Sequence, residues 1–476
     1  MLTKYRTHLS WMGATLVLLT TIGPVTLAQS TTETRKVLTL EEAVDFALKH
    51  YPAVRASLER VRAAQAGIGL AQTNYLPRAD AVWQTNRATD NNITGLLLPQ
   101  PIIAPISGPV PASVSNRSAW GSAAGLLFSW EPIDFGYRGA KVDAARAAWD
   151  QASAEASLAR LDVAVATVNA YLTVLAAQRT VNAAEADVQR RDTFDKAVRV
   201  LVDNQLRAGA DASRADAELA RARVNLARAR QQEKISRAAL ADILGLPDTS
   251  VEVREGSFLG PLPDGSPQTT PVTNNPIAQV QHARVEEAQA QVHILDRSYY
   301  PKFYLQSDVY GRGSGWDPAG KFEGATAGLG PDRSNWAVGL TMTFPVFDIF
   351  AIQSRKAVES ANERAEAARY DQALQDLTGQ LRKAQASLEG ARSVAENTPQ
   401  ELDAARITET QVRARYQAGL ATLVDVADAQ SLLVQAETDD ALARLAVWQN
   451  LAAVSASQGD LQPFLQFLHD KTEGGP

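Results

Sequence analysis

Few residues in this chain have the type and spacing that chemistry requires. Its 476 residues include no cysteine and five histidines. Without cysteine there is no disulfide, thiolate metal site, Fe–S cluster or thiol nucleophile, and no lipid anchor on an N-terminal cysteine. His50, His282, His293 and His469 lack metal-ligand spacing, and no histidine is placed to serve Ser or Asp as a base. Gly311-Arg312-Gly313-Ser314-Gly315 has the composition of a phosphate loop but precedes no helical pattern, so it reads as a turn. No catalytic constellation is found, and no enzyme, cofactor or metal is expected. What remains is a pair of carboxylates, Asp425 and Asp428, three residues apart and so neighbours on one helix face. Asp425, three residues after Thr422, also suits the first turn of a helix as half of a capping pair. Ser213 and Asp216 repeat that spacing and suit a helix start in the same way.

Composition narrows the class further. Fifty-three acidic against 47 basic residues give a net charge of −6, which disfavours a nucleic-acid partner with its phosphates. At 45% hydrophobic and 21% charged the chain is not disordered as a whole. No uninterrupted apolar run reaches the ~18 residues of a spanning helix, so a membrane would have to be crossed by strands. Lys4 and Arg6, the apolar stretch 11–23, Pro24 and Thr26-Leu27-Ala28 follow the order of a secretory signal peptide, residues 1–28. Its removal leaves 45 basic and 53 acidic residues, a net −8.

The elements that must position Asp425 and Asp428 occur twice. His50-Tyr51-Pro52 precedes Tyr75-Leu76-Pro77 by 25 residues, as Asn275-Pro276 precedes Tyr300-Pro301, and the two prolines match at an offset of 224. Trp120 and Phe128 match Trp336 and Phe344 at 216, and Ala208-Gly209 matches Ala418-Gly419 at 210. Residues 29–245 and 275–458 thus read as two structural repeats. Each opens with a helix-rich segment, 40–75 or 276–299; Thr39 with Glu42 forms a capping box. A strand pair follows, expected at about 77–88 and 118–131, then at about 301–311 and 334–346. Polar positions alternate with apolar ones, and aromatics crowd around both pairs. That pattern fits transmembrane strands with interfacial rings, or half-buried strands of a soluble sheet. The loop 90–118 is Pro-rich and unusually apolar.

Long helical hairpins come next, at 138–245 and 351–457. Leu158, Leu161, Val165, Val168, Leu172 and Leu175 step by three and four. Leu374, Leu377, Leu381, Ala384, Leu388 and Ala391 do the same, which predicts coiled-coil packing. About 70 helical residues reach roughly 100 Å, deeper than a compact domain, so these helices must project. Gly209 and Gly419 suit C-caps at the two turns. Pro399 is expected to kink or break its helix.

These motifs, in doubled order, carry a resemblance. Leu38-Thr39-Leu40-Glu41-Glu42-Ala43 through Pro52, Tyr75-Leu76-Pro77, Pro132-Ile133-Asp134-Phe135-Gly136, Leu240 to Gly245, and Tyr416-Gln417-Ala418-Gly419 through Asp425 to Ala429 resemble TolC-type outer-membrane efflux proteins over about residues 38–460. The resemblance implies a mainly α fold with a membrane β-barrel portion. It implies a homotrimer closing a twelve-stranded barrel above a helical periplasmic tunnel, in outer-membrane lipid. Its partners would be a periplasmic adaptor and an inner-membrane transporter, for which the chain would be the exit duct. Asp425 and Asp428 would ring the periplasmic entrance, Tyr416 would belong to the latch between helix pairs, and the tips near Gly209, Ser213, Gly419 and Thr422 would meet the adaptor. Arg214 adjoins the first tip, and Ala421 stands where the family pattern has a basic residue. Segments 246–274 and 459–476, rich in Pro and Gly, resemble the family's equatorial additions. The rival reading is a soluble periplasmic coiled-coil scaffold or adaptor, whose hairpins dock partner helices.

Overall fold

The computed structural model describes residues 36–89, 117–247, 249, 251–256, 258–263, 265, 270–317 and 321–473. The expected signal peptide 1–28 lies outside them, as does the loop 90–118 up to residue 116. In chain order the elements are β1 (Lys36–Leu38), α1 (Leu40–His50), α2 (Pro52–Thr73), β2 (Arg78–Thr89), β3 (Ser118–Ile133), α3 (Tyr137–Asp203), α4 (Gly209–Ile243), β4 (Val251–Val253), α5 (Pro276–Arg297), β5 (Lys302–Ser314), β6 (Arg333–Thr343), α6 (Asp348–Gln417), α7 (Leu423–Ser457) and α8 (Gln462–Glu473).

Local chemistry starts the helices. Thr39 Oγ1 accepts from the Glu42 amide at 3.2 Å while the Glu42 carboxylate accepts from the Thr39 amide at 2.9 Å. Pro52 and Pro276 sit at the first positions of α2 and α5, where a missing N–H costs nothing. Asn275 Oδ1 accepts from the Ile277 amide at 2.9 Å.

Four strands form one antiparallel sheet in the order β2-β3-β5-β6. Its register fixes two unlike faces. Ala81, Leu126, Val309 and Trp336 stand side by side across the four strands, and Leu126, Val309 and Trp336 are 60%, 60% and 75% exposed. The other face carries Asp80, Gln84, Asp308, Tyr310 and Arg312. Gly125 faces Tyr310 there; a Cβ on it would lie 2.5 Å from the Tyr310 Cβ, so only glycine lets the strands close.

Strand pairing also corrects the repeat register. Ala79 pairs with Phe128 and Phe303 with Met342. The first strands therefore match at 224 but the second strands at 214, not 216. The 214 offset then holds to the ends of α4 and α7, where Gly245 and Gly459 both adopt positive φ. Ala215, Leu219, Ala222 and Ala229 on α4 are buried, and so are Ala429, Leu433, Ala436 and Ala443 on α7.

α3 and α6 contain 67 and 70 residues. Val168, Leu172 and Leu175 are buried on α3, and Leu377 and Leu388 on α6. α3 contains a stretch long and apolar enough to cross a membrane; its Val163, Val168, Leu172 and Leu175 side chains instead lie in the main core. α6 does not break at Pro399. Thr398 donates to Asp440 at 3.0 Å and Arg444 donates to the same carboxylate at 3.1 Å, so α7 is bonded to α6 beside the missing backbone bond.

A belt surrounds the middle of the hairpins. β1 and β4 pair in parallel beside Tyr171, whose buried hydroxyl accepts from the Arg254 amide at 3.1 Å and lies 2.7 Å from the Arg254 carbonyl. Trp448 Nε1 donates to the Phe258 carbonyl at 3.1 Å, and Arg444 to the Gly260 carbonyl at 3.2 Å. Within 459–476, residues 462–473 are helical as α8, because Phe464 and Leu468 are buried in this core beside Trp448.

The two sheet faces predict opposite tolerance to charge. Leu340→Arg, on the apolar face, should lower stability in bilayers by about 2–4 kcal/mol, and Thr341→Arg, on the polar face, by far less. Denaturant titration of the protein folded into vesicles measures both.

Candidate functional site at the hairpin tips

Both long helices end the same way. At the second tip Ala418 is the C-cap and Gly419 has φ 78°. The Leu420 amide donates to the Arg415 carbonyl at 2.8 Å and the Gly419 amide to the Tyr416 carbonyl at 3.0 Å, a Schellman closure. At the first tip the same closure uses Gln205, with φ 59°. The Leu206 amide donates to Leu201 at 2.9 Å and the Gln205 amide to Val202 at 2.8 Å. Gly209 is therefore not the C-cap; it is the first residue of α4.

The helix starts differ more. Thr422 and Asp425 form a complete capping box: Thr422 N donates to Asp425 Oδ2 at 2.7 Å and Asp425 N to Thr422 Oγ1 at 3.3 Å. The Thr422 amide, with its hydroxyl, holds the Asp425 carboxyl below the usual carboxylate range. Ser213 and Asp216 form no such box. α4 starts after Ala208 without a side-chain cap, which puts Ser213 inside the helix and Asp216 in an ion pair with Arg199. At the 214 offset the counterpart of Asp425 is Asp211, and that of Asp428 is Arg214. Asp425 and Asp428 are both exposed. Asp428 has no hydrogen-bond or ion-pair partner among the described residues.

Tyr416 is 1% exposed. It packs edge-on to Phe194 and under the Arg207 guanidinium, 4.5 Å from its ring centre. Arg207 also donates to the Tyr416 carbonyl at 2.8 Å. Burial, then the negative charge of Asp211, push the Tyr416 phenol up, and Arg207 partly offsets them. Its hydroxyl makes no hydrogen bond of good geometry. Arg207, not Arg214, is thus the base that ties the first hairpin to Tyr416, and Arg207 and Asp211 escaped the sequence reading. The 214 offset carries Asp425 onto Asp211.

About two to three helical turns above Gly419, α3 grips the second hairpin again. Arg191, 8% exposed in its side chain, donates to Asp187 at 2.9 and 3.0 Å, to Glu218 at 3.0 Å and to Ser431 at 3.1 Å. Arg190 forks onto Glu437 at 2.9 and 3.1 Å. Three helices, α3, α4 and α7, meet on two adjacent guanidiniums. Sequence periodicity could not show this, because an arginine within a helical run reads as a solvated face.

Among the described residues no group of three metal-ligating side chains comes together. A two-faced strand quartet above long paired hairpins defines the class of outer-membrane channel-tunnels. The model of the outer membrane efflux protein family matches residues 43–246 and 272–460, and the chain belongs to that family. It is similar to Protein CyaE of Bordetella pertussis, 26% identical over 435 residues, 89% of this chain and 84% of that one. It is also similar to the pyoverdine export outer membrane protein OpmQ of Pseudomonas putida, 24% identical over 426 residues, 87% and 84% of the two chains. Among solved structures, the outer membrane protein VceC of Vibrio cholerae superposes with a TM-score of 0.70 at 20% identity, covering 88% of this chain and 96% of that one. The chain is an outer-membrane export duct with a periplasmic helical portion, not an enzyme.

Two measurements test the local chemistry. Arg191→Met strands Asp187 and Glu218 in the interior and should cost about 3–5 kcal/mol, read by chemical denaturation. Because the Asp425 pKa is lowered in the folded chain, its support of α7 is complete above about pH 3.9, the unfolded value. That support is lost as pH falls through the lowered value. Protection from hydrogen exchange at residues 422–426, relative to the intrinsic rate at each pH, should fall in that acid window, and Asp425→Asn should remove that fall.

Proposed function

We propose that the chain works as a homotrimer whose three sheets close a twelve-stranded barrel, with the helical hairpins forming one tunnel below it. The carrying observation is a sheet with one apolar exposed face and two open edges, β2 and β6. Lipid offers no hydrogen bonds to those edges. All neighbours in the sheet are antiparallel, so β2 and β6 run oppositely, and β6 of one copy suits β2 of the next. Two copies would give eight strands, whose interior is filled by side chains, whereas three leave a bore.

In this reading the polar face lines the duct, and the tips around Gly209, Ser213, Gly419 and Thr422 meet a periplasmic adaptor that couples the duct to an inner-membrane transporter. Asp425 and Asp428 form the periplasmic gate. Their roles divide: Asp425 is engaged in capping, and Asp428 is the carboxylate free to meet passing cations. Tyr416 with Arg207 latches the second hairpin to the first. OpmQ is named for pyoverdine export, which favours a small exported compound as cargo. The adaptor reading has less support, since a soluble scaffold has no use for a wide apolar face on four strands.

Extraction from outer membranes should require detergent and yield a trimer, and the trimer should conduct in planar bilayers. Asp428→Ala should weaken block by divalent cations more than Asp425→Ala does. A double variant with unchanged conductance and unchanged block would remove the gate assignment, and a freely water-soluble monomer would remove the duct.

A further inference from the structure

A cavity of about 520 Å³ opens where β5 and β6 meet α5 and α6, with Tyr137, Tyr300, Lys302, Tyr304, Asp348 and Arg355 on its wall. In the first repeat the matching place is occupied. Arg138, 5% exposed, donates to Asp134 at 2.9 Å and to the Asn74 carbonyl at 3.3 Å, and its guanidinium lies over Tyr75. Beside it Arg78 pairs with Asp80 at 2.8 Å. At the repeat offsets of 224 and 214, Arg78 becomes Lys302, Asp80 becomes Tyr304, Arg138 becomes Ile352 and Lys141 becomes Arg355. The second repeat has lost the filling guanidinium and one carboxylate, yet it keeps a basic side chain at the two flanking positions.

Those cations are not neutralised within the chain. Lys302 Nζ lies 4.6 Å from the centre of the Tyr137 ring, and Lys141 Nζ lies 4.5 Å from the same centre. Among the described residues, Lys141, Lys302 and Arg355 have no carboxylate within ion-pair distance. The wall itself carries two cations, Lys302 and Arg355, and one carboxylate, Asp348; Glu131 lies near Tyr304 behind it. Lys302 and Tyr304 share the polar face of β5. Phenol hydroxyls of Tyr137, Tyr300 and Tyr304 add neutral donors to the charged ones, and charge-assisted donors hold an oxyanion most strongly.

We propose that this cavity binds an oxyanion group, a phosphate or a carboxylate, clamped between Lys302 and Arg355 and ringed by phenols. The duct reading turns the same face inward, so the site would give the conduit a resting place for anionic cargo; a retained phospholipid headgroup would place the site outside the lumen instead, and the lipid arm of the test distinguishes the two. The site itself stands on this chain's own geometry.

The test uses the purified full-length protein in detergent. Titration with inorganic phosphate, followed by calorimetry, reads the free anion; native mass spectrometry after incubation with phosphatidylglycerol reads the lipid. One ligand per chain is expected in one or both arms. Phosphate binding alone identifies a soluble anion, and retained lipid identifies a headgroup. Lys302→Gln with Arg355→Gln should weaken binding about tenfold or more, because two charged partners are removed. Arg78→Gln, at the filled counterpart, should leave it unchanged. Tyr304→Asp restores the acid of the first repeat and should weaken binding as well, which guards against misfolding of the double variant. No binding by the wild type in either arm, or binding indifferent to these changes, overturns the proposal. Conductance of the same samples reports separately on the duct.

Discussion

Backbone hydrogen bonding at the edges of the β2-β3-β5-β6 sheet is the constraint on which the architecture depends. The row Ala81, Leu126, Val309 and Trp336 turns one face toward an apolar medium, and in such a medium an unpaired edge amide has no substitute for water. Four strands are too few to curl onto themselves, and the proposed trimer would pair these edges with neighbouring copies. Gly125 against Tyr310 shows the same economy of space inside the sheet, where strand pairing leaves no room for a Cβ.

The helices answer a different requirement, reach without a compact core. α3 and α6 are held by narrow stripes, Val168, Leu172 and Leu175 on one, Leu377 and Leu388 on the other. Alanine at Ala215, Ala222, Ala429 and Ala436 lets the returning helices approach closely. Such stripes fix a pair of helices but not its position relative to the next pair. The belt supplies that second constraint. Carbonyls of Phe258 and Gly260 accept from Trp448 and Arg444, and Tyr171 pins Arg254. α8 closes the belt with Phe464. The same neighbourhood explains why Pro399 leaves α6 unbroken, since Thr398 and Asp440 tie the helix to α7 at that level.

Below the belt the hairpins are tied by a small apolar cluster, Val198, Ala215, Tyr416, Leu423 and Val426, and by arginines. Arg190, Arg191 and Arg207 on or just past α3 each bond to the second hairpin. Buried ion pairs pay a desolvation cost and contribute little net stability, but they tolerate only one arrangement of partners. Arg191 meets Asp187 and Glu218 on its own hairpin and Ser431 on the other. Movement of α7 would leave the Arg191 guanidinium paired on its own hairpin, but it would break the Arg190–Glu437 fork as well as the Ser431 bond. Arg207 over Tyr416 repeats the device at the tip with a carbonyl and a ring in place of charge.

By itself, the sequence determined the class of the molecule. Period-two runs, three-and-four stepping, the doubled Tyr-Pro spacing and the capping chemistry of Thr39 and Thr422 are local signals, and local signals survive without knowledge of what packs where. It also placed Asp425 and Asp428 on one helix face, which the structure leaves exposed. Tertiary structure alone decided register and partnership. The 214 offset came from strand pairing, which moved the equivalence of Asp425 from Asp216 to Asp211 and the closure of the first tip from Gly209 to Gln205. The four-residue slip from 214 to 210 is close to one turn and leaves helical periodicity nearly unchanged, so the sequence could not detect it. Arg207 on Tyr416, the Arg190–Arg191 layer and the unpaired Lys302 depend on side chains more than a hundred residues apart. Charge on a helix or strand looks solvated until a neighbouring element covers it, and only the fold specifies that neighbour.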